Sequence, residues 1–184
     1  PFITEVEVVV LGRGALRAAV ADPKAAGPVM AQWCFLLGLW GRCLEGTDLV
    51  PLLGRFRHGP QVAYVLRSLP ADLRQFEARL AKARAEPPGP AVESELRRLC
   101  VWTCKKLLRS GAELAMLGDG RFTRDLAPCS ARFAERFPEL GPTTRQLLGW
   151  AIRPPGELSP LERVVGQLEP VLTRAGAQEG VVGP

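Results

Sequence analysis

Residues 91–117, AVESELRRLCVWTCKKLLRSGAELAML, decide how the chain folds. No proline interrupts them, and apolar or small side chains recur at Leu96, Leu99, Cys100, Thr103, Leu107 and Leu114. At helical spacing these six fall on one stripe, which predicts a long helix with that stripe in a core; a strand would alternate its faces instead. Arg98, Lys105, Lys106, Arg109 and Glu113 fall on the opposite side, with Trp102 among them.

Working outward, the same period continues on both sides of this segment. Helices are expected over residues 61–68, 71–85, 125–137, 143–151 and 159–175, with a shorter one over 14–21. Residues 86–90 (EPPGP) and 154–156 (PPG) are breaks, since proline lacks the amide donor that a helix interior needs. Residues 29–42 are apolar without a clear period, so helix and strand remain equal readings there. The tail from Gly176 reads as frayed. Short connections between long helices imply antiparallel neighbours. The fold expected is mainly α: an antiparallel helical bundle, over residues 60–184, preceded by one or two strands in residues 1–59.

The strand reading rests on residues 1–11, PFITEVEVVVL, which are rich in β-branched side chains. Val6, Val8 and Val10 share one face; Ile3, Glu5, Glu7 and Val9 share the other. One strand needs partners, supplied by missing sheet or by a short ribbon over residues 37–44. The chain is therefore expected to be the C-terminal part of a longer protein. Glu5 and Glu7 stand side by side on their face, an arrangement that favours a bound cation or an outward position.

With 47% apolar and 23% charged residues, the 184-residue chain has the material for a core. No stretch of about 20 apolar residues exists, so no membrane span is expected. The five cysteines are odd in number and scattered, which suits reduced thiols in the cytoplasm rather than a disulfide framework. Cys100 and Cys104 share a helix face, but a structural zinc site takes four ligands. His58 is the single histidine, and no triad, phosphate-binding glycine loop or dinucleotide fingerprint accompanies it.

The net charge is +5, and most of it has one address. Between Arg97 and Asp125 stand Arg97, Arg98, Lys105, Lys106, Arg109, Arg121 and Arg124 against Glu113, Asp119 and Asp125, a local +4. Residues 118–120 (GDG) suit a helix end and tight turn, and Thr123 or Asp125 suits the cap of the next helix. A basic helix face with Trp102 beside it offers an anion-binding wall with a ring for stacking.

Residues 98–114 (RLCVWTCKKLLRSGAEL) followed by 120–129 (GRFTRDLAPC) resemble the C-terminal region of bacterial nucleotidyltransferase-domain proteins of the DNA polymerase beta superfamily. Residues 46–51 (GTDLVP), Phe133, Phe137-Pro138-Glu139 and Ala151-Ile152 continue the likeness, which runs from about Glu5 to Pro154. It implies a helical domain, related to that of aminoglycoside nucleotidyltransferases, that binds nucleotide and acceptor. The catalytic head of such enzymes holds two divalent ions on three carboxylates and grips the triphosphate with a Gly-Ser motif. This sequence contains neither a Gly-Ser dipeptide nor an Asp-x-Asp pair. Its opening strand resembles the strand of the third carboxylate. Glu5 then matches the metal ligand and Glu7 accompanies it as a catalytic acid.

The resemblance implies transfer of a nucleoside monophosphate from an NTP to a hydroxyl or amine acceptor with Mg²⁺, the fragment alone being inactive. Lys105, Lys106, Arg109, Arg121 and Arg124 would contact phosphates, Thr123 and Asp125 would orient them or the nucleotide hydroxyls, and Trp102 would stack. The other reading is a non-enzymatic helical module that binds nucleic acid or a partner protein, antitoxin-like, through the same face. The arginine-to-histidine spacing of HEPN ribonucleases is absent around His58. Acceptor, base preference and the choice between monomer and homodimer are not written in these residues.

Overall fold

The computed structural model describes residues 11–43, 47–117 and 121–182. Eight α-helices and two 3₁₀ turns make up these residues, and no strand occurs among them. The expected strand with Glu5 and Glu7 and the expected 118–120 turn lie outside the described residues. The chain divides into two compact units, with the break between Arg57 and His58.

In the first unit, α1 (Arg13–Ala21) and α2 (Pro28–Trp40) pack with a 3₁₀ turn over Val50–Arg55. The ambiguous apolar stretch is therefore helix from Pro28 to Trp40, and among the described residues of the expected 37–44 ribbon no strand forms: Leu37 to Trp40 are the last turn of α2. Pro28 starts the helix, where its missing donor costs nothing. Ala31, Gln32, Cys34, Phe35 and Leu36 are buried, whereas Val29, Leu39 and Trp40 are exposed.

The second unit is a bundle built around α5 (Pro90–Met116), which packs against α3 (Tyr64–Arg67), α4 (Leu69–Ala85), α6 (Leu126–Arg136), α7 (Gly141–Ile152) and α8 (Ser159–Gln178). The mainly-α bundle expected from periodicity is what forms. Antiparallel pairing of α4 and α5 is visible in two ion pairs: Arg79 meets Glu95, while Asp72, earlier on α4, meets Lys106, later on α5. Proline also starts α4, α5, α7 and α8, and no described helix carries a side-chain N-cap bond. Fixed φ at the first turn thus sets these starts in place of capping hydroxyls.

The core joins Leu66, Leu73, Phe76, Leu99, Leu107, Leu108, Phe133, Leu147, Leu161 and Leu168, among others. At Gly111 the α6 ring of Phe133 lies so close that a Cβ would sit 2.4 Å from it, so glycine sets the α5–α6 approach. The tail departs from expectation. Helix α8 runs on to Gln178, Gly180 takes φ +69°, and the amides of Val181 and Val182 return to the Gly176 carbonyl. This is a glycine-terminated helix end, and it turns Val181 into the core.

Candidate anion site on the central helix

The polar side of α5 is not one solvated face. Helices α3, α4 and α6 wrap it, and the residues that the helix projection sets opposite the core divide into three groups. Arg97 and Arg98 stay exposed near its start. Lys105 is half-buried and makes no ion pair among the described residues. Lys106 and Glu113, two turns apart on a different face, go inside.

Glu113 is 2% exposed. Its carboxylate accepts the Leu66 backbone N–H at 2.8 Å. The placement of Glu113 on the side away from the core is thus corrected: the four-residue helix α3 covers it, and its carboxylate meets the amides at the start of that helix. Ser110, one turn earlier on α5, donates its hydroxyl to the Val65 carbonyl at 3.3 Å. Burial pushes the Glu113 carboxyl up to about 7, against the opposing pull of the Leu66 and Val65 amides, Lys106 and Arg124.

Lys106 is tied on the α4 side. Its side chain is 10% exposed and pairs with the Asp72 carboxylate. Its ammonium also donates to the Ser68 hydroxyl at 2.6 Å, which in turn donates to the Tyr64 carbonyl at 2.9 Å. Desolvation lowers the lysine from its ordinary range, and Asp72 opposes that shift.

Arg109 is held differently. Its Nε donates to the Arg124 backbone carbonyl at 3.2 Å, which fixes the loop after α5 onto the helix. Burial and then the Arg124 charge lower the guanidinium from its ordinary range. Neither Arg109 nor Arg124 makes an ion pair with a carboxylate among the described residues. The Arg124 charge works against Arg109 while the Asp125 carboxylate favours it, and an oxyanion near both arginines would add to that favourable side.

The loop is shaped by its own residues. The Thr123 hydroxyl accepts the Asp125 N–H at 3.1 Å, and Asp125 occupies the cap position of α6 without a side-chain cap bond. Cys129, buried on α6, donates its thiol to the Thr123 carbonyl at 3.6 Å, and burial pushes that thiol up to about 11. Phe122 stacks obliquely on His58, with ring centroids 5.0 Å apart, and His58 Nδ1 donates to the Met116 carbonyl at 3.0 Å. Arg121 and Asp125 are exposed. Trp102 is half-buried and packs against the core cluster.

Of the expected set, the structure ties Arg109 to the loop that carries Thr123, Arg124 and Asp125, whereas Lys106 is bonded to Asp72 and Ser68 instead. Lys105 lies beside them on the adjoining face, and Glu5 and Glu7 fall outside the described residues. Sequence reasoning misses Ser68, Asp72 and the burial of Glu113. A signal for Glu113 exists, since Lys106, Ser110 and Glu113 share a face at helical spacing. Asp72 and Ser68 carry none, because their role depends on how α4 docks.

The residues present do not form a metal site of their own: among the described residues no group of three or more His, Cys, Asp or Glu comes together. No described helix is long and apolar enough to cross a membrane. No protein-family model matches the chain, and no curated protein or solved structure matches it.

Proposed function

We propose that the helical unit from His58 onward is the nucleotide-binding part of a cytoplasmic nucleotidyltransferase, one that moves a nucleoside monophosphate from an NTP to a hydroxyl or amine acceptor. The observation that carries this reading is the Arg109–Arg124 pair: two cations tied by a side-chain-to-backbone bond, with no carboxylate bonded to either among the described residues. Phosphate oxygens are the ligands that guanidinium forks fit best. Lys105 lies one turn from Arg109 on the same face, and Arg121 lies on the same loop as Arg124, so both widen the positive wall. Mg²⁺ enters with the NTP. The chain by itself binds and does not catalyse.

Titration of the chain with MgATP and the other NTPs tests this. Arg124→Ala and Lys105→Ala should each weaken binding by about 1.5–3 kcal/mol, the worth of a charged hydrogen bond, while thermal stability stays unchanged. Equal affinity in parent and variants removes the assignment. Binding of a short RNA with steep salt dependence, and none of NTP, would transfer the site to the nucleic-acid reading.

A further inference from the structure

We infer that His58 and Phe122 form a latch that positions the Arg124 loop on α5, so that both residues set the affinity of the site without touching its ligand. This rests on the phosphate-binding reading above and adds two positioning residues to it. The latch begins at the end of α5. The last carbonyls of a helix have no partner inside it, and the negative end of the helix dipole lies there. Helix α5 carries no basic residue in its last turn. His58 supplies a donor from 58 residues away: its Nδ1 lies 3.0 Å from the carbonyl oxygen of Met116, the last residue of α5. A carbonyl only accepts, so Nδ1 carries the proton.

Phe122 closes the latch. Its ring is tilted against the His58 ring, with centroids 5.0 Å apart, and it packs on the buried cluster of Ala112, Met116 and Cys129. The backbone after His58 is itself held: the Gly59 carbonyl accepts the amides of Val62 and Ala63 at 3.0 and 3.1 Å, and both of these residues are buried. Three successive loop residues are thereby fixed by three different partners. Phe122 rests on His58, the Thr123 carbonyl accepts the Cys129 thiol at 3.6 Å, and the Arg124 carbonyl accepts Arg109 Nε at 3.2 Å. The bonds to Thr123 and Arg124 come from α6 and α5, whereas the latch ties the loop to the residue at which the second unit begins. An arginine presented by a loop that is already ordered takes an oxyanion without the cost of ordering that loop.

The test measures MgATP binding by the whole chain, each variant at a temperature where it is folded. His58→Ala and Phe122→Ala should each weaken binding roughly tenfold, because the loop must then be ordered in the binding step. Phe122→Tyr keeps the ring and should bind as the parent does. Phe122→Leu keeps an apolar side chain against Met116 and Cys129 but loses the ring. It should match Phe122→Ala in affinity, and it decides the matter if the alanine variants fail to fold. Two comparisons separate positioning from loss of stability. Leu168→Ala empties a site in the main core, to which the Phe122 cluster does not belong, and should keep the parent's affinity while melting earlier. In an Arg124→Ala background, His58→Ala should weaken binding no further, since the latch acts through Arg124. Unchanged affinity in His58→Ala and Phe122→Leu overturns the latch and leaves the phosphate site standing, as does an equal loss of affinity in Leu168→Ala. No MgATP binding by the parent overturns the phosphate reading, and the latch falls with it.

Discussion

The backbone N–H of Leu66 donates to the Glu113 carboxylate at 2.8 Å, across 47 residues of sequence, with Glu113 closed off from water. Helix α3 is four residues long, too short to hold itself. Glu113 and Ser110 grip its amide and carbonyl groups from the middle of the bundle. A carboxyl raised from 4.5 to about 7 binds its proton more firmly in the folded chain than in the unfolded one. Its contribution is therefore fully present below about pH 4.5, declines as pH rises, and is lost above about pH 7. The ceiling on that loss is about 3 kcal/mol. Urea unfolding at mildly acidic and mildly alkaline pH should find the parent less stable at the alkaline end. Glu113→Gln should flatten the difference, and a parent whose stability rises with pH relative to Glu113→Gln would contradict the assignment.

The two adjacent lysines should behave oppositely. Lys105 makes no ion pair among the described residues, so Lys105→Ala should change stability by less than about 0.5 kcal/mol. Lys106 satisfies both Asp72 and the Ser68 hydroxyl at 10% side-chain exposure. Lys106→Ala leaves a carboxylate without its partner and should cost about 2–3 kcal/mol. Thermal melts of the two variants decide it, and equal shifts would remove the distinction.

This contrast also marks how far sequence carries. Proline at helix starts, the 86–90 break and the stripe of Leu99, Cys100, Thr103, Leu107 and Leu114 are local signals, and the fold follows them. A single helical projection, however, assumes one buried side. Helix α5 has neighbours on several sides, so Ser110, Gly111, Ala112 and Glu113 are buried together, which no periodic stripe predicts. Residues 29–42 carry no period because α2 is apolar nearly all round. The tail reads as frayed because its order comes from Arg67, more than a hundred residues away. Clustering of Arg109 with Arg124 was legible, since one loop of known length joins them; the pairing of Lys106 with Asp72 needs the docked α4.

Gly111 should resist enlargement. Alanine in mid-helix normally stabilises by roughly 0.5–1 kcal/mol relative to glycine. Here the added Cβ would stand 2.4 Å from the Phe133 ring, which is itself fully buried. Overpacking of this kind costs about 1–3 kcal/mol, so Gly111→Ala should be net destabilising. Combining it with Phe133→Leu should cost less than the two single changes added together, because the smaller side chain makes room for the methyl. Strict additivity in denaturant unfolding would place the strain elsewhere.

The C-terminal turn should behave as part of the core. Arg67 donates through Nε to the Val181 carbonyl at 3.0 Å and through Nη2 to the Pro60 carbonyl at 2.6 Å, joining the start of the unit to its end. Val181 is 2% exposed, and Gly176 lies beneath Val182 and Leu66, where a Cβ would come within 2.7 Å of the Val182 methyl. Truncation after Gln178 removes the apolar plug and leaves Arg67 with one acceptor instead of two. Uncovering a valine-sized site and losing that bond together should cost about 2–4 kcal/mol. Limited proteolysis reads the same event as faster cleavage within α8, whose last turn then frays. Arg67→Ala should reproduce part of the effect by removing the clamp while keeping the valine, so its melting temperature should fall between those of the parent and the truncated chain. A truncated chain as stable and as resistant as the parent would mean that Val181 merely rests on the bundle.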